Sequence, residues 1–487
     1  MLLKELINGL SFVKTRGSLD VEIEGIAYDS RNVRQGFIFV CIEGFSTDGH
    51  EYIPMAIENG AKALLVQKDI EAPDGITVIK VNNTRYAIAY ISDIFFGHPS
   101  RKLALTGVTG TKGKTTTTFM IKSILEAANQ KVGLIGTLGT RIGDLALASE
   151  RTTPEAYDLQ SVFAQMAEKD VKSVVMEVSS QGLELHRVSC VDFDTGIFTN
   201  LSQDHISPRE HSSMEEYFNA KLKLFKMCRT GIINKDHPYG REVIKKASCK
   251  IYTYGIEQDA DIKADNIVLK QDSVEFDVNT PWGVSRISVG VPGKFSIYNA
   301  LAAIGAAGVM GVPLAAAAEG LKKISVPGRA EVIYSDERIT VITDYAHTPD
   351  SLENILTTFK NSSEGRVVCV FGCGGDRDRN KRPLMGEVSG RIADFTIITS
   401  DNPRTEEPMA IIKDIEEGIK KLKAEYLTIE DRRQAIKYSI ENAQPKDVII
   451  LAGKGHETYQ IFKDKTVHFD EREVVREIIR ELEDKGC

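Results

Sequence analysis

The sequence has no run approaching the roughly 18 uninterrupted apolar residues of a membrane-spanning helix. Its first residues, MLLKELINGLSFVKTRG, hold neither a long apolar stretch nor a small-residue cleavage site. Cysteine is sparse: seven in 487 residues, at positions 41, 190, 228, 249, 369, 373 and 487. The count is odd and no pair has metal-finger spacing. That argues against a disulfide framework or a zinc finger and suits reduced thiols. Positive charge is in deficit, with 61 Lys and Arg against 69 Asp and Glu, a net charge of -8. This disfavours nucleic acid or an anionic membrane as partner. It leaves room for a local basic pocket facing a small anion. There is no internal repeat and no low-complexity tract. The expectation is a cytoplasmic protein without nucleic-acid or membrane partners.

What is present is an ordinary globular balance, 42% hydrophobic and 27% charged. At roughly 100–200 residues per domain, the length suggests about three domains. Short apolar runs predict strands at 37–42, 63–66, 77–81, 103–108, 132–135, 173–178, 195–199, 340–343, 367–371, 395–399 and 448–451. Helical patterns separate most of them, which implies βαβ units and largely parallel sheets. The stretch 260–292 is locally β-rich and reads as a side sheet. Proline and glycine interrupt the periodic patterns at 97–100 and 326–329. The expected division is 1–99, 100–328 and 329–487.

The most informative segment is GVTGTKGKTT, 107–116, preceded by a strand-like run and followed by a helical pattern. That context suits a phosphate cradle, in which glycines let the backbone wrap the anion and the helix N-terminus faces it. Lys114 would reach the β- and γ-phosphates and Thr115 would hold Mg²⁺. The strict phosphate-loop pattern requires glycine where Val108 stands, and the glycines here are 107, 110 and 113.

Two further residues stand out. Glu177 ends a buried-strand pattern, SVVMEVSS, at the carboxyl end where open α/β sheets bind ligands. Lys221 falls on the apolar stripe of Met214, Tyr217, Phe218, Leu222 and Phe225. Periodicity alone favours a lysine whose stem packs while its head reaches water. A buried, neutral, nucleophilic lysine is the sharper alternative.

These blocks, with FTNLSQDH, AKLKLF, GKFSIYNALAA, VPGRAE, DYAHTPDSLE, GCGGDRDRNKRPLMG and GKGHE, resemble the Mur ligase family. The N-terminal stretch YDSRNVRQGFIFVCIEGFSTDGHEYIPMAIENGA is similar to the UDP-binding domain of the branch that adds the third peptide residue. The resemblance implies an α/β fold of three domains. These are an N-terminal UDP-substrate-binding domain, a central P-loop ATPase-like domain with a mostly parallel sheet, and a C-terminal Rossmann-like domain. It implies an ATP-dependent ligase that phosphorylates the D-glutamyl carboxylate of UDP-N-acetylmuramoyl-L-Ala-D-Glu. An amino acid's amine then displaces phosphate.

Carried over by motif, Gly110, Thr111, Lys112, Gly113, Lys114, Thr115 and Thr116 cradle ATP, with Asn299, Arg329, Asp344 and His347 on the ATP side. Glu177 and His205 match magnesium positions. Lys221 matches the lysine that the family carbamylates, which would turn a cation into a metal-bridging anion. Lys114, Glu177, His205 and Lys221 are the expected catalytic groups, and Thr115 joins the last three as a metal ligand. Ser30, Thr152, Thr153, Ser179 and Arg187 match UDP-substrate contacts. Gln181, Leu185, Ser296, Lys112 and the segment after His205 depart from common family residues.

The resemblance extends to the amino acid. Asp401, Asn402, Pro403 and Arg404 resemble the motif of the meso-diaminopimelate-adding branch; alone they would read as a turn. Diaminopimelate is lysine with a second carboxylate, which a guanidinium holds with paired N–H bonds. Arg377, Gly453 and Glu457 match the other amino-acid contacts. A monomer is expected, with ATP and Mg²⁺ as cofactors. The competing readings are another ligase on this scaffold, such as a folylpolyglutamate synthase, or a nucleotide switch. The N-terminal block disfavours the first; a switch gives no reason for Lys221 and GKGHE.

Overall fold

A computed structural model describes residues 1–45, 47–143, 145–147, 149, 151–203 and 210–484. The chain forms two compact units. The first comprises Met1–Lys263, Asn279–Gly283 and Leu301–Gly320; the second comprises Ala264–Val278, Val284–Ala300 and Leu321–Cys487.

The first unit begins with strands β1 (Lys14–Arg16), β2 (Gly25–Ala27), β3 (Phe37–Val40), β4 (Ala63–Val66) and β5 (Thr77–Lys80), in the order β1-β5-β4-β3-β2. Only β1 is antiparallel to its neighbour; β2 to β5 pair in parallel. Gly97 (φ 68°) and His98 (φ 53°) end the helix that follows, and a tight turn, Pro99–Lys102, leads onward. The proline and glycine noticed at 97–100 thus mark a left-handed reversal of the backbone.

Next come β6 (Ala104–Thr109), β7 (Val132–Gly136), β8 (Gly139–Ile142), β9 (Leu145–Leu147), β10 (Ser173–Glu177), β11 (Phe193–Phe198), β12 (Cys228–Asn234) and β13 (Lys250–Gly255). They lie in the order β13-β12-β11-β6-β10-β7-β8-β9. From β13 to β7 the pairing is parallel, and β8 and β9 close one side as antiparallel strands. All residues of β7 and β10 are buried. Continuous apolar runs of this kind suit a parallel sheet covered on both faces. The chain leaves β6 toward β10 and β7 and later returns to β11 on the other side. The carboxyl ends of β10, β6 and β11 therefore frame a topological switch point, where open α/β sheets bind ligands.

The expected strands are all present, within a few residues of their predicted ends. The β-rich stretch 260–292 holds β14 (Ile262–Leu269), β15 (Val274–Thr280) and β16 (Gly283–Val289). It is not a separate side sheet: β14 begins by pairing with β13 through Tyr254↔Ile262 and Gly255↔Lys263.

The second unit has a sheet of β17 (Glu331–Ser335), β18 (Ile339–Asp344), β19 (Val367–Phe371), β20 (Phe395–Ile398), β21 (Tyr426–Thr428) and β22 (Asp447–Ala452). Their order is β17-β18-β22-β19-β20-β21, parallel except for β17. A hairpin of β23 (Tyr459–Ile461) and β24 (Thr466–His468) follows. Arg432 and Glu471 form a fully buried ion pair at 2.6 Å, and Thr343 Oγ1 donates to Glu471 at 2.5 Å. The pair fixes the last helix, Glu471–Glu483, against the sheet. Removing either partner would strand a buried charge, at about 3–5 kcal/mol. Cys41, Cys369 and Cys373 are buried and unbridged, and burial pushes each thiol up to about 12. They behave as packing groups. No helix among the described residues is long and apolar enough to cross a membrane.

Candidate active site

In the first unit the chain turns from β6 into the helix Lys114–Ala127 through a loop that its neighbours clasp. Gly110 has φ 152°, and a Cβ there would lie 1.9 Å from Thr199 Oγ1. Gly113 (φ 84°) is the left-handed residue before the helix. The segment after β11 holds the loop: Thr111 N donates to Asn200 O at 3.0 Å and Lys112 N to Asn200 Oδ1 at 2.9 Å. Thr199 Oγ1 donates to Lys112 O at 2.7 Å. Lys114 Nζ folds back to Gly110 O and Thr111 O, both at 3.0 Å. Glycine at 110 is thus dictated by how closely the β11 segment approaches.

Glu177, 1% exposed at the end of β10, meets the start of this helix. Its Oε1 accepts from Thr115 Oγ1 at 3.0 Å and Thr137 N at 2.9 Å, and its Oε2 accepts from Thr137 Oγ1 at 3.1 Å. Three of about four carboxylate acceptor positions are used, all by uncharged donors. The carboxylate therefore keeps its charge unneutralised by these contacts, beside a hydroxyl and a phosphate-type loop. Hard oxygen donors in this arrangement suit Mg²⁺, which takes one or two carboxylates together with phosphate oxygens. His205 lies outside the described residues.

Lys221 is 1% exposed on the helix Met214–Leu222. Its Nζ donates to Gly110 O at 3.1 Å and lies 4.4 Å from the Tyr217 ring centre. The head is buried and does not turn out to bulk water as periodicity alone favours. The Tyr217 hydroxyl lies 3.1 Å from Thr111 Oγ1, linking that helix to the loop. His211, 1% exposed, was missed from the sequence: its Nε2 is 2.9 Å from Ser180 Oγ and its ring lies 5.0 Å from that of Tyr217. Burial lowers its pKa. The only sequence signal was a histidine just before the helix of Lys221.

A cleft of about 320 Å³ opens here, lined by Lys114, Lys221, Thr152, Thr153, Ser179 and Arg187 among others. Thr153 Oγ1 donates to Glu177 O at 3.0 Å and accepts from Ser179 N at 3.0 Å, so substrate-side and metal-side candidates share one scaffold. Ser179 Oγ caps the helix Ser180–Glu184 through Gly182 N. Arg187 Nη1 donates to Thr153 O at 3.2 Å, and Nη2 pairs with the buried Glu155 at 3.1 Å. Glu155 also pairs with Arg151 at 3.0 Å and Arg85 at 3.8 Å, an arginine cluster that motif reading did not flag. Ser30 does not line this cleft; it starts the turn Ser30–Asn32, where its hydroxyl meets Met55 Sδ at 3.2 Å. Thr116 is buried in the first turn of the loop helix.

The second unit carries the remaining candidates. Asn299 is buried on the helix Lys294–Val309. Asp344 ends β18, and its Oδ2 accepts from Ala330 N at 2.7 Å. Arg329 lies over the Tyr345 ring at 4.9 Å, and His347 packs on the same ring at 4.6 Å. Arg329, Asp344 and His347 thus gather around the carboxyl end of β18.

The amino-acid candidates cluster at the carboxyl ends of β19, β20 and β22, which are adjacent in the order β22-β19-β20. Asn402 Nδ2 donates to Glu457 Oε2 at 2.8 Å. Its Oδ1 accepts from the buried Lys454 Nζ at 3.2 Å and from Ile461 N at 3.0 Å. Lys454, another residue the motifs did not single out, also reaches Glu457 at 3.2 Å. Gly453 (φ 115°) would place a Cβ 2.9 Å from Asp401 Oδ2. Arg404 has φ 52°; its backbone N–H donates to Ile461 O and its Nη1 to Gly375 O at 2.9 Å. Pro403 bridges Asn402 and Arg404, and Arg377 is exposed on the facing loop.

Three family models cover most of the chain. Residues 22–106 match the Mur ligase family catalytic domain, 108–307 the Mur ligase middle domain, and 328–455 the Mur ligase glutamate ligase domain. The chain belongs to the Mur ligase family. Among curated relatives, a protein of Clostridium botulinum named UDP-N-acetylmuramoyl-L-alanyl-D-glutamate–2,6-diaminopimelate ligase is 50% identical over 97% of this chain and 98% of its own. A protein of the same name from Caldanaerobacter subterraneus is 49% identical over 99% and 100%. A solved structure of such a ligase superposes with a TM-score of 0.74 at 31% identity, covering 99% of both chains. The MurF ligase of Thermotoga maritima in complex with ADP, at 16% identity and TM-score 0.63, shares the fold over 96% of this chain and 99% of its own. The Mur ligases are ATP-dependent, and the mixed α/β fold expected from the sequence is the one found.

Proposed function

We propose that this chain is an ATP-dependent ligase of peptidoglycan precursor synthesis. It joins meso-2,6-diaminopimelate to UDP-N-acetylmuramoyl-L-alanyl-D-glutamate. The observation that carries the reading is the amino-acid cluster, where Asn402, Arg404, Lys454 and Glu457 converge at the carboxyl ends of parallel strands. A substrate with two amino groups and two carboxylates finds both signs of charge there. The names of the two relatives near 50% identity support the same reaction.

Hydroxide is too poor a leaving group for direct amide formation. The D-glutamyl carboxylate therefore takes the γ-phosphoryl group of ATP, releasing ADP, and becomes an acyl phosphate. The diaminopimelate amine attacks its carbonyl carbon, and inorganic phosphate leaves. The chain's work is positioning and charge stabilisation. The loop N–H groups from Gly110 to Thr116 and the Lys114 ammonium orient the triphosphate, with Asn299, Arg329, Asp344 and His347 as further nucleotide contacts. Thr115, Glu177 and His205 would hold Mg²⁺, which when bound supplies countercharge for the phosphoryl oxygens. Lys221, as a carbamate, would give a second anion. Ser30, Thr152, Thr153, Ser179 and Arg187 hold the UDP substrate. Arg377, Asp401, Asn402, Pro403, Arg404, Gly453 and Glu457 hold diaminopimelate. The working division is 1–99 for the UDP substrate, 100–328 for ATP and 329–487 for the amino acid, in a cytoplasmic monomer.

The test is phosphate release from ATP with the UDP-dipeptide and a panel of amino acids. Release is expected only when the UDP-dipeptide and meso-diaminopimelate are both present, with lysine used poorly. Preference for lysine, or release without the UDP substrate, would overturn the assignment.

A further inference from the structure

Two loops converge on Arg404. One, 372–380, leaves the carboxyl end of β19; the other, 399–406, leaves that of β20. Each contains a non-glycine residue in the left-handed region, Asp376 at φ 53° and Arg404 at φ 52°. Such conformations persist only where surroundings enforce them. Here the two loops enforce each other. Gly375 N donates to Asn402 O at 2.9 Å, Arg404 Nη1 to Gly375 O at 2.9 Å, and Thr405 Oγ1 to Asp376 Oδ1 at 2.6 Å. The approach is so close that a Cβ on Gly375 would lie 1.9 Å from Pro403 O.

One carboxylate closes this lattice. Glu406 Oε1 accepts from Asp376 N at 2.7 Å and from Arg382 Nη2 at 2.8 Å. Its Oε2 accepts from Arg382 Nη1 at 3.0 Å and Arg379 Nη2 at 2.9 Å. Arg382 is fully buried and also pairs with Asp414 at 2.8 Å, so the loops are tied down to the helices Lys381–Ile392 and Pro408–Ile419. With all its acceptor positions used, Glu406 has no capacity left for a ligand. Arg404 is different: within its guanidinium, among the described residues, only Nη1 bonds to protein, leaving the Nε–Nη2 edge to face a carboxylate in paired geometry.

We propose that Glu406 is a positioning residue for amino-acid selection: it locks the 372–380 loop to the 399–406 turn and so aims the Arg404 guanidinium at the substrate's distal carboxylate. The inference rests on the reading of Arg404 given under the proposed function. Its logic is that a long, flexible side chain discriminates only when its anchor is rigid, since a misplacement of about 1 Å forfeits most of the benefit.

The experiment compares kcat/KM for diaminopimelate and lysine in the wild type, Glu406→Gln, Arg404→Ala and the double variant. Glu406→Gln keeps the shape and leaves Arg382 its Asp414 partner. It is expected to lower kcat/KM for diaminopimelate about tenfold or more, through KM, with KM for ATP and the UDP substrate and the low lysine rate unchanged. In the Arg404→Ala background the same change should cost little further, because coupled residues are not additive. Thr405→Val, an exposed position that leaves no buried charge unpaired, should shift the diaminopimelate-to-lysine ratio in the same direction by a few-fold. If Arg404→Ala loses diaminopimelate selectivity while Glu406→Gln and Thr405→Val keep it, or if the effects simply add, the inference is overturned and the Arg404 reading stands. If Glu406→Gln weakens ATP, lysine and diaminopimelate alike, its role is general support and the inference is overturned. If Arg404→Ala spares diaminopimelate, the Arg404 reading fails and the inference falls with it.

Discussion

Gly110→Ala separates the phosphate loop's function from the stability of the sheet beneath it. The added Cβ would sit 1.9 Å from Thr199 Oγ1, where real contacts do not fall below 3.0 Å, so something must move by about 1.1 Å. The backbone adds to this, because φ 152° is a region that side chains rarely adopt, at a cost of about 1–3 kcal/mol. The loop is the part free to move, since β6 is buried between β10 and β11. A shift of about 1 Å in a group that positions a reacting phosphate costs on the order of a hundredfold in rate. The variant should therefore lose about 100-fold or more in kcat/KM for ATP, while its stability falls only by about 1–3 kcal/mol and its affinity for the UDP substrate is retained. Phosphate release, calorimetry with the UDP substrate and thermal unfolding read the three quantities. Removing the obstructing hydroxyl by Thr199→Ala leaves the next neighbours 3.1 Å from the new Cβ, so the double variant should recover part of the loss. Activity of Gly110→Ala within threefold of wild type would refute the claim that the clasped loop geometry is what ATP requires.

Lys221→Ala should be nearly inactive and partly restored by short carboxylic acids, which can occupy the space of a carbamate; intact mass showing an unmodified ammonium in the active protein would count against it. Arg404→Ala should cost on the order of 2–5 kcal/mol with diaminopimelate and little with lysine, because only the former brings a charge to pair; equal losses would remove Arg404 from specificity. Burial, with Arg329 and Arg472 nearby, holds His456 down at about 4, against about 6.5 in an unfolded chain. The unfolded state then binds a proton that the folded state refuses. The associated stability is complete above about pH 6.5 and declines toward pH 4, by on the order of 2 kcal/mol after allowing for partial exposure. Urea midpoints at pH 7 and 5 should converge when His456→Gln is compared with wild type in that window; an unchanged pH dependence would show that another group is responsible.

The strands were legible because parallel strands buried on both faces carry continuous apolar runs, as in Val132–Gly136 and in 174–176 of β10. The nearness of Glu177 to the phosphate loop was legible for a related reason: Glu177 ends β10 and the loop follows β6, and ligands gather where parallel strands end. What could not be read depends on strand order. Nothing local says that β6 lies between β10 and β11. Hence the clasp by Thr199 and Asn200, the place of His211 beside Tyr217, and the gathering of Arg85, Arg151 and Arg187 on Glu155 were invisible. The β-rich stretch 260–292 was read as a side sheet because periodicity identifies strands but not their partners.

The same limit explains Glu406, which sits in a turn and looks like any surface acid. Its employment is set by its donors. Glu177 takes its hydrogen bonds from hydroxyls and an amide, which leave its charge uncompensated and suited to a cation. Glu406 takes three of its four from guanidiniums, and Arg382 foremost holds its carboxyl down at about 2. It therefore stays ionised at any working pH and has no lone pair to offer a ligand. A carboxylate in the first state can take part in chemistry, and one in the second can only hold other groups in place. The difference follows from which residues the strand order brings within about 3 Å, and the residue type alone does not reveal it.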